Sequence, residues 1–129
     1  LSSPASTGGP WVIQLDNVLS KQEADELIEL GAIEGYQRSA DVGKITADGQ
    51  QEAKVSDGRT STNAWCREAC YRNETALGVI NRLSDLTGVP EPNSEYLQML
   101  RYEPGQYYNS HHDYIYHHLI RQQGPRILT

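Results

Sequence analysis

The sequence predicts an α+β fold, with helices packed first and a β-sheet taking over towards Thr129. The helical evidence is spacing. Ala24, Leu27, Ile28 and Gly31 recur at helical intervals behind Ser20, and Ala76, Val79, Ile80, Leu83 and Leu86 form a longer stripe of the same period. Strand evidence follows: residues 96–102 alternate with period two, and 107–114 return as a second strand after the turn Glu103-Pro104-Gly105-Gln106. Helices first and strands afterwards point to α+β rather than to alternating βαβ units.

Taken in order, residues 1–10 are rich in Ser, Pro and Gly and are expected to be a flexible lead-in. Trp11-Val12-Ile13-Gln14-Leu15 is a short apolar run, expected to be a strand. Ser20 with Glu23 forms a capping-box signature, and Gly31 and Gly35 are expected to close that helix. Residues 41–58 are polar and punctuated by glycine, and a mobile loop with short strand pieces at its ends is expected there. Cys66 and Cys70 are spaced for one helix face, where their Cα atoms would lie ~6 Å apart; a disulfide and a reduced pair are both open. Gly88 and Pro90 stop the second helix. Arg126-Ile127-Leu128-Thr129 reads as the opening of a further strand, so residues 11–129 are expected to form an incomplete domain.

At 129 residues the chain is one domain or part of one. Its mean hydropathy is -0.63. Phenylalanine is absent and 8 tyrosines stand in, a residue suited to half-buried surfaces that touch polar ligands. A formal charge of -6, with no basic run longer than a dipeptide, argues against nucleic acid and anionic membrane as partners. No segment is long and apolar enough to insert in a membrane. Asn73-Glu74-Thr75 fits the N-glycosylation pattern, and with the cysteine pair it points to the secretory pathway.

The chemistry gathers at His111-His112-Asp113. On a strand, alternate side chains share a face, so His111 and Asp113 point one way and His112 the other. A neutral imidazole beside a carboxylate supplies two ligands of a 2-His-1-carboxylate iron site, which leaves positions open for co-substrate and oxygen. The competing reading is a structural histidine–carboxylate hydrogen bond on a surface strand. Tyr102, across the hairpin, is placed to offer its hydroxyl to an anionic ligand of the metal. His117 is read as a solvated loop histidine rather than a third ligand, although four histidines so close together would also take up adventitious divalent metal. Tyr107 and Tyr108 read as aromatic packing of the hairpin.

An ordered set of stretches carries a resemblance over residues 11–129. These are Asn17-Val18-Leu19-Ser20, Arg59-Thr60-Ser61, Leu86-Thr87-Gly88-Val89-Pro90, the run from Leu97 through Tyr102-Glu103-Pro104-Gly105-Gln106 to Tyr108, and His111-His112-Asp113-Tyr114. Together they resemble the N-terminal part of a prolyl 4-hydroxylase catalytic domain, an iron(II)- and 2-oxoglutarate-dependent dioxygenase. The resemblance implies a double-stranded β-helix (jelly roll) with its C-terminal strands lying beyond Thr129. It also implies His111 and Asp113 as iron ligands, Tyr102 as a 2-oxoglutarate contact, and ascorbate as a further cofactor. Arg59 and Ser61 would lie on a loop closing over the substrate, Glu95 would line the peptide groove, and Arg126 would lie near it. The distal iron-binding histidine and the 2-oxoglutarate-binding lysine of such enzymes fall outside these residues, so the chain alone is expected to be inactive. The implied substrate is an extended, proline-rich polypeptide hydroxylated at C4, and the implied location is the endoplasmic reticulum, lumenal or membrane-anchored. Two other readings stand beside it: a truncated or degenerate paralogue that binds metal or peptide without turnover, and a lysyl or other 2-oxoglutarate-dependent hydroxylase.

Overall fold

Ser20 starts the first helix as its sequence demands. Its Oγ accepts the Glu23 amide at 3.2 Å while the Glu23 carboxylate accepts the Ser20 amide at 2.8 Å, and helix α1 runs Lys21–Glu34. Gly35, at φ 91, ends it and donates its N–H to Gly31 O at 3.0 Å. Gly31 was expected to close the helix. It lies inside it, buried, because a side chain there would strike the Tyr36 ring; a Cβ would come within 2.7 Å of Cζ. The computed structural model describes residues 8, 11–48, 50–121 and 123–129, so the lead-in expected over 1–10 lies almost wholly outside the described residues.

Helix α2, Glu74–Thr87, follows its apolar stripe closely. Asn73 caps it by accepting the Ala76 amide at 3.1 Å, and Gly88 leaves it in the left-handed region at φ 69. Polar side chains fasten the two helices together. Glu26 accepts from Asn73 Nδ2 at 2.9 Å and from Thr75 Oγ1 at 2.8 Å, and Glu23 pairs with Arg82 at 2.7 Å. The Arg82 hydrogen bond, followed by the Ser20 amide, lowers the Glu23 pKa from 4.5 to about 2. A depressed carboxyl adds stability that is fully present above its unfolded value and lost as pH falls through its folded one. Glu23→Gln should therefore flatten the loss of stability between about pH 4.5 and about pH 2, measured as urea midpoints across that window.

Three short strands form one antiparallel sheet: β1 (Gln37–Arg38), β4 (Thr62–Trp65) and β5 (Gln98–Arg101), in the order β1-β4-β5. Ala64 faces Met99 and Trp65 faces Gln98 across the central pair. The remaining strands, β2 (Asp41–Ile45) and β3 (Gln51–Lys54), pair antiparallel as a hairpin. Thus the segment 41–58, expected to be a mobile loop with short strand pieces at its ends, does carry two strands, and they pair with each other. It shows no apolar periodicity because neither face meets the core: Val42 and Ile45 each stay half-exposed. Thr46 closes its turn by donating its amide to Gln50 O at 2.8 Å.

Cys66 and Cys70 form a disulfide, fully buried. They are not on one helix: Cys66 follows β4, and Cys70 opens a short 3-10 turn, Cys70–Arg72. Glu34, at the end of α1, accepts the amides of Glu68 at 3.0 Å and Cys70 at 2.8 Å, which seats the bridge on the helix. The core around it is small: Leu30, Cys66, Cys70 and Ala76, with Leu27, Tyr71, Leu97 and Met99 packed on its rim.

Three expected strands do not form. Residues 11–15 are irregular apart from a single bridge at Val12, and Trp11, Val12, Ile13 and Leu15 are all exposed. Residues 126–129 are irregular. The stretch 107–114 is irregular except for one bridge, Arg59 to Tyr108, because its backbone pairs with 58–60 instead of with β5. Thr60 donates its amide to Tyr107 O at 2.9 Å, and Asn109 donates to Gly58 O at 2.8 Å. The described residues are α+β, built of two small antiparallel sheets and two α-helices, an arrangement compatible with part of a larger fold. Among the described residues, no helix is long and apolar enough to cross a membrane.

Candidate metal and substrate site

The strand that was to align His111 with Asp113 is absent, yet the two side chains still meet. His111 Nε2 lies 3.5 Å from Asp113 Oδ1. His112 turns away, with its Nδ1 3.1 Å from Tyr114 O. The other nitrogen of His111, Nδ1, lies 2.7 Å from Asn109 O. A carbonyl only accepts, so in the neutral ring Nδ1 carries the hydrogen and Nε2 presents its lone pair towards Asp113. The Asp113 carboxyl is held below its ordinary value, first by the hydrogen bond that Thr129 Oγ1 donates to Oδ2 and then by the charge of Arg126. Arg126 Nη1 stands 3.6 Å from Asp113 Oδ1.

This donor pair has the form that a divalent metal requires: one imidazole lone pair and one ionised carboxylate. Ligands about 2.0–2.2 Å from a common ion sit roughly 3–3.5 Å apart, which matches the observed gap. The residues present fit two positions of an iron site. A third is not supplied, since among the described residues no group of three His, Cys, Asp or Glu converges on one point. His117 and His118 sit in the 3-10 turn Tyr116–Ile120, and the expected crowd of four histidines does not assemble. His118 is buried, which lowers its pKa and favours the neutral ring.

The other sequence candidates separate into two groups. Glu95 and Arg126 come together in a bidentate ion pair, 2.8 Å at both contacts, and Arg126 holds the Glu95 carboxyl below its usual range. Through Arg126 this pair adjoins Asp113, so three of the candidates form one row of alternating charge. Arg59 is anchored by Nη1 to Ala40 O at 3.1 Å, and its guanidinium lies over the Tyr108 ring, 4.6 Å from the centroid. Ser61 is not open to a substrate: it is fully buried and donates to Ser39 Oγ at 3.0 Å. Tyr102 follows β5 with its side chain exposed, and the second strand of the expected hairpin does not form. Asn73 spends its carbonyl on the α2 cap and its amide on Glu26.

The aromatic neighbour of His111 is instead Tyr108, whose ring stacks on the imidazole with centroids 3.7 Å apart and planes 26° apart. Sequence reading left Tyr108 as packing. Its position follows from the pairing of 107–109 with 58–60, and no local pattern encodes that. Beside the site, Ile45 of the hairpin and Ile115, Tyr116, Leu119 and Ile120 line an open apolar cleft.

No protein-family model matches the chain. Curated relatives do. Prolyl 4-hydroxylase 2 of Arabidopsis thaliana is 34% identical over 140 residues, which takes in 100% of this chain and 44% of the relative. Probable prolyl 4-hydroxylase 10 of the same plant is 34% identical over 114 residues, covering 88% of this chain and 37% of the relative. Probable prolyl 4-hydroxylase 6, also from Arabidopsis thaliana, is 36% identical over 114 residues, covering 86% and 37% respectively. The chain thus spans less than half the length of these relatives.

Proposed function

As a chain that belongs to the prolyl 4-hydroxylase family, it belongs, we propose, to a natural protein that hydroxylates peptidyl proline at C4, coupled to conversion of 2-oxoglutarate and oxygen to succinate and carbon dioxide. The observation that carries this reading is the His111–Asp113 pair, with the Nε2 lone pair and an ionised carboxylate 3.5 Å apart. Bound iron(II) would supply the oxygen activation, and ascorbate would keep the metal reduced. The protein's own work is placement. His111 and Asp113 hold one side of the metal, with the third ligand and a cation for the 2-oxoglutarate carboxylate coming from outside these residues. Thr129 and Arg126 keep Asp113 ionised, so it stays a ligand rather than an acid. Tyr102 offers an exposed phenol to the co-substrate. Arg59 and the Glu95–Arg126 pair present polar groups to a polypeptide backbone, and the cleft beside the β2–β3 hairpin takes its apolar rings. An extended proline-rich segment suits such a surface, because its polyproline-II form is already ordered before binding. The buried Cys66–Cys70 bridge and the Asn73 sequon favour a site of action in the secretory pathway, at the endoplasmic reticulum.

A second reading, a relative that binds without turnover, draws on the two-ligand character of the described site. Succinate release separates them. The natural protein carrying this chain, given iron(II), ascorbate and 2-oxoglutarate, is expected to form succinate when a poly-proline peptide is added. Peptide binding without succinate would establish the non-catalytic reading instead.

A further inference from the structure

Tyr108 is the one aromatic ring laid on the imidazole of His111 among the described residues. We propose that Tyr108 is a positioning residue for His111: clamped between the Arg59 guanidinium and the imidazole, it sets the plane of the ring whose Nε2 faces Asp113. This rests on the reading of His111 as a metal ligand, but the stack and its test need no metal.

His111 lies on irregular backbone, so no ladder fixes its side chain. The hydrogen bond from Nδ1 to Asn109 O, 2.7 Å, pins one point of the ring and leaves its plane free to swing about that point. A face-to-face contact at 3.7 Å removes that freedom. Tyr108 can impose it because Tyr108 is itself held. Its backbone bridges to Arg59, and its neighbours bond on either side: Tyr107 donates its amide to Thr60 Oγ1 at 2.7 Å, and Asn109 donates to Gly58 O at 2.8 Å. Its outer face is covered by the Arg59 guanidinium, which is tied to Ala40 O. The three layers thus run from the root of the β2–β3 hairpin to the candidate ligand. A metal ligand whose ring plane is preset costs less to order when the ion arrives, which is how outer partners of ligating histidines raise affinity. His112 is the internal contrast: it has a hydrogen bond from Nδ1 to Tyr114 O at 3.1 Å but, among the described residues, no aromatic ring stacked on it.

Heteronuclear spectra of the histidine rings in the metal-free chain test this. His111 ring protons are expected upfield of those of His112, under the Tyr108 ring current, with Nδ1–H as the single tautomer. Tyr108→Leu should move them to the His112 positions and mix the tautomers. Tyr108→Phe, which keeps the ring, and Tyr107→Leu, which lies outside the stack, should change neither. If Tyr108→Leu does not fold, Arg59→Leu serves: it keeps both rings but removes the guanidinium that holds the Tyr108 ring against the imidazole, and should weaken the upfield displacement. The proposal is overturned if His111 keeps its shifts and tautomer in the folded Tyr108→Leu variant, or if Tyr107→Leu disturbs them as strongly. With Arg59→Leu as the variant, unchanged spectra overturn it. No outcome here depends on turnover, so failure of the stack and failure of the hydroxylase reading are told apart.

Discussion

His111→Ala is expected to abolish peptide-dependent succinate formation by the natural protein, a fall of at least ~100-fold, since loss of a metal ligand exceeds what loss of an outer partner costs. Stability should fall by no more than about 1.5 kcal/mol, the scale of the one aromatic stack the side chain loses, because it packs against no core residue. Asp113→Asn should behave alike. It removes the charge that Thr129 and Arg126 hold in place, while leaving an oxygen in position. His112→Ala is the control. Its ring points away from Asp113, and activity should persist. Thermal melts recorded beside the assays distinguish lost chemistry from lost fold.

The largest effect on stability is expected at the disulfide. Replacing Cys66 and Cys70 together by alanine should cost about 2 kcal/mol, the chain-entropy value for so short a loop. The consequence should reach beyond the bridge, because both sulfurs lie in the same small cluster as Leu30 and Ala76. Urea unfolding reads the cost as a lower midpoint. A variant as stable as the parent would show that the Glu34 cap on the Glu68 and Cys70 amides is sufficient to hold this turn.

Much of the helical part was legible because its signals are local. Ser20 with Glu23, and Gly88, are cap signals whose partners lie within a few residues; Asn73, read only as part of a sequon, is the N-cap that sequence reading missed. The strands were less legible, since pairing is decided by distant neighbours. The run 107–114 has strand character, but 58–60 takes its hydrogen bonds and leaves it irregular. The hairpin at 41–58 was hidden for the opposite reason: neither face meets the core, so it needs no apolar alternation. At the site, alternation predicts that His111 and Asp113 share a face, and the structure orients them instead by hydrogen bonds, from His111 to the nearby Asn109 carbonyl and to Asp113 from the distant Thr129. The Glu95–Arg126 pair spans a separation of 31 residues, and no pattern in the sequence announces such a contact. Ser61 and Tyr108 show what cannot be read at all. Which of them faces the core and which faces His111 depends on the register between two irregular segments.

The most direct test of the hydroxylase reading is mass spectrometry of a poly-proline peptide incubated with the natural protein carrying this chain, with iron(II), 2-oxoglutarate and oxygen. Under the hydroxylase reading one added oxygen is expected on proline C4 for each succinate formed, and none with the His111→Ala variant. Proline hydroxylation that persists undiminished in that variant would contradict it.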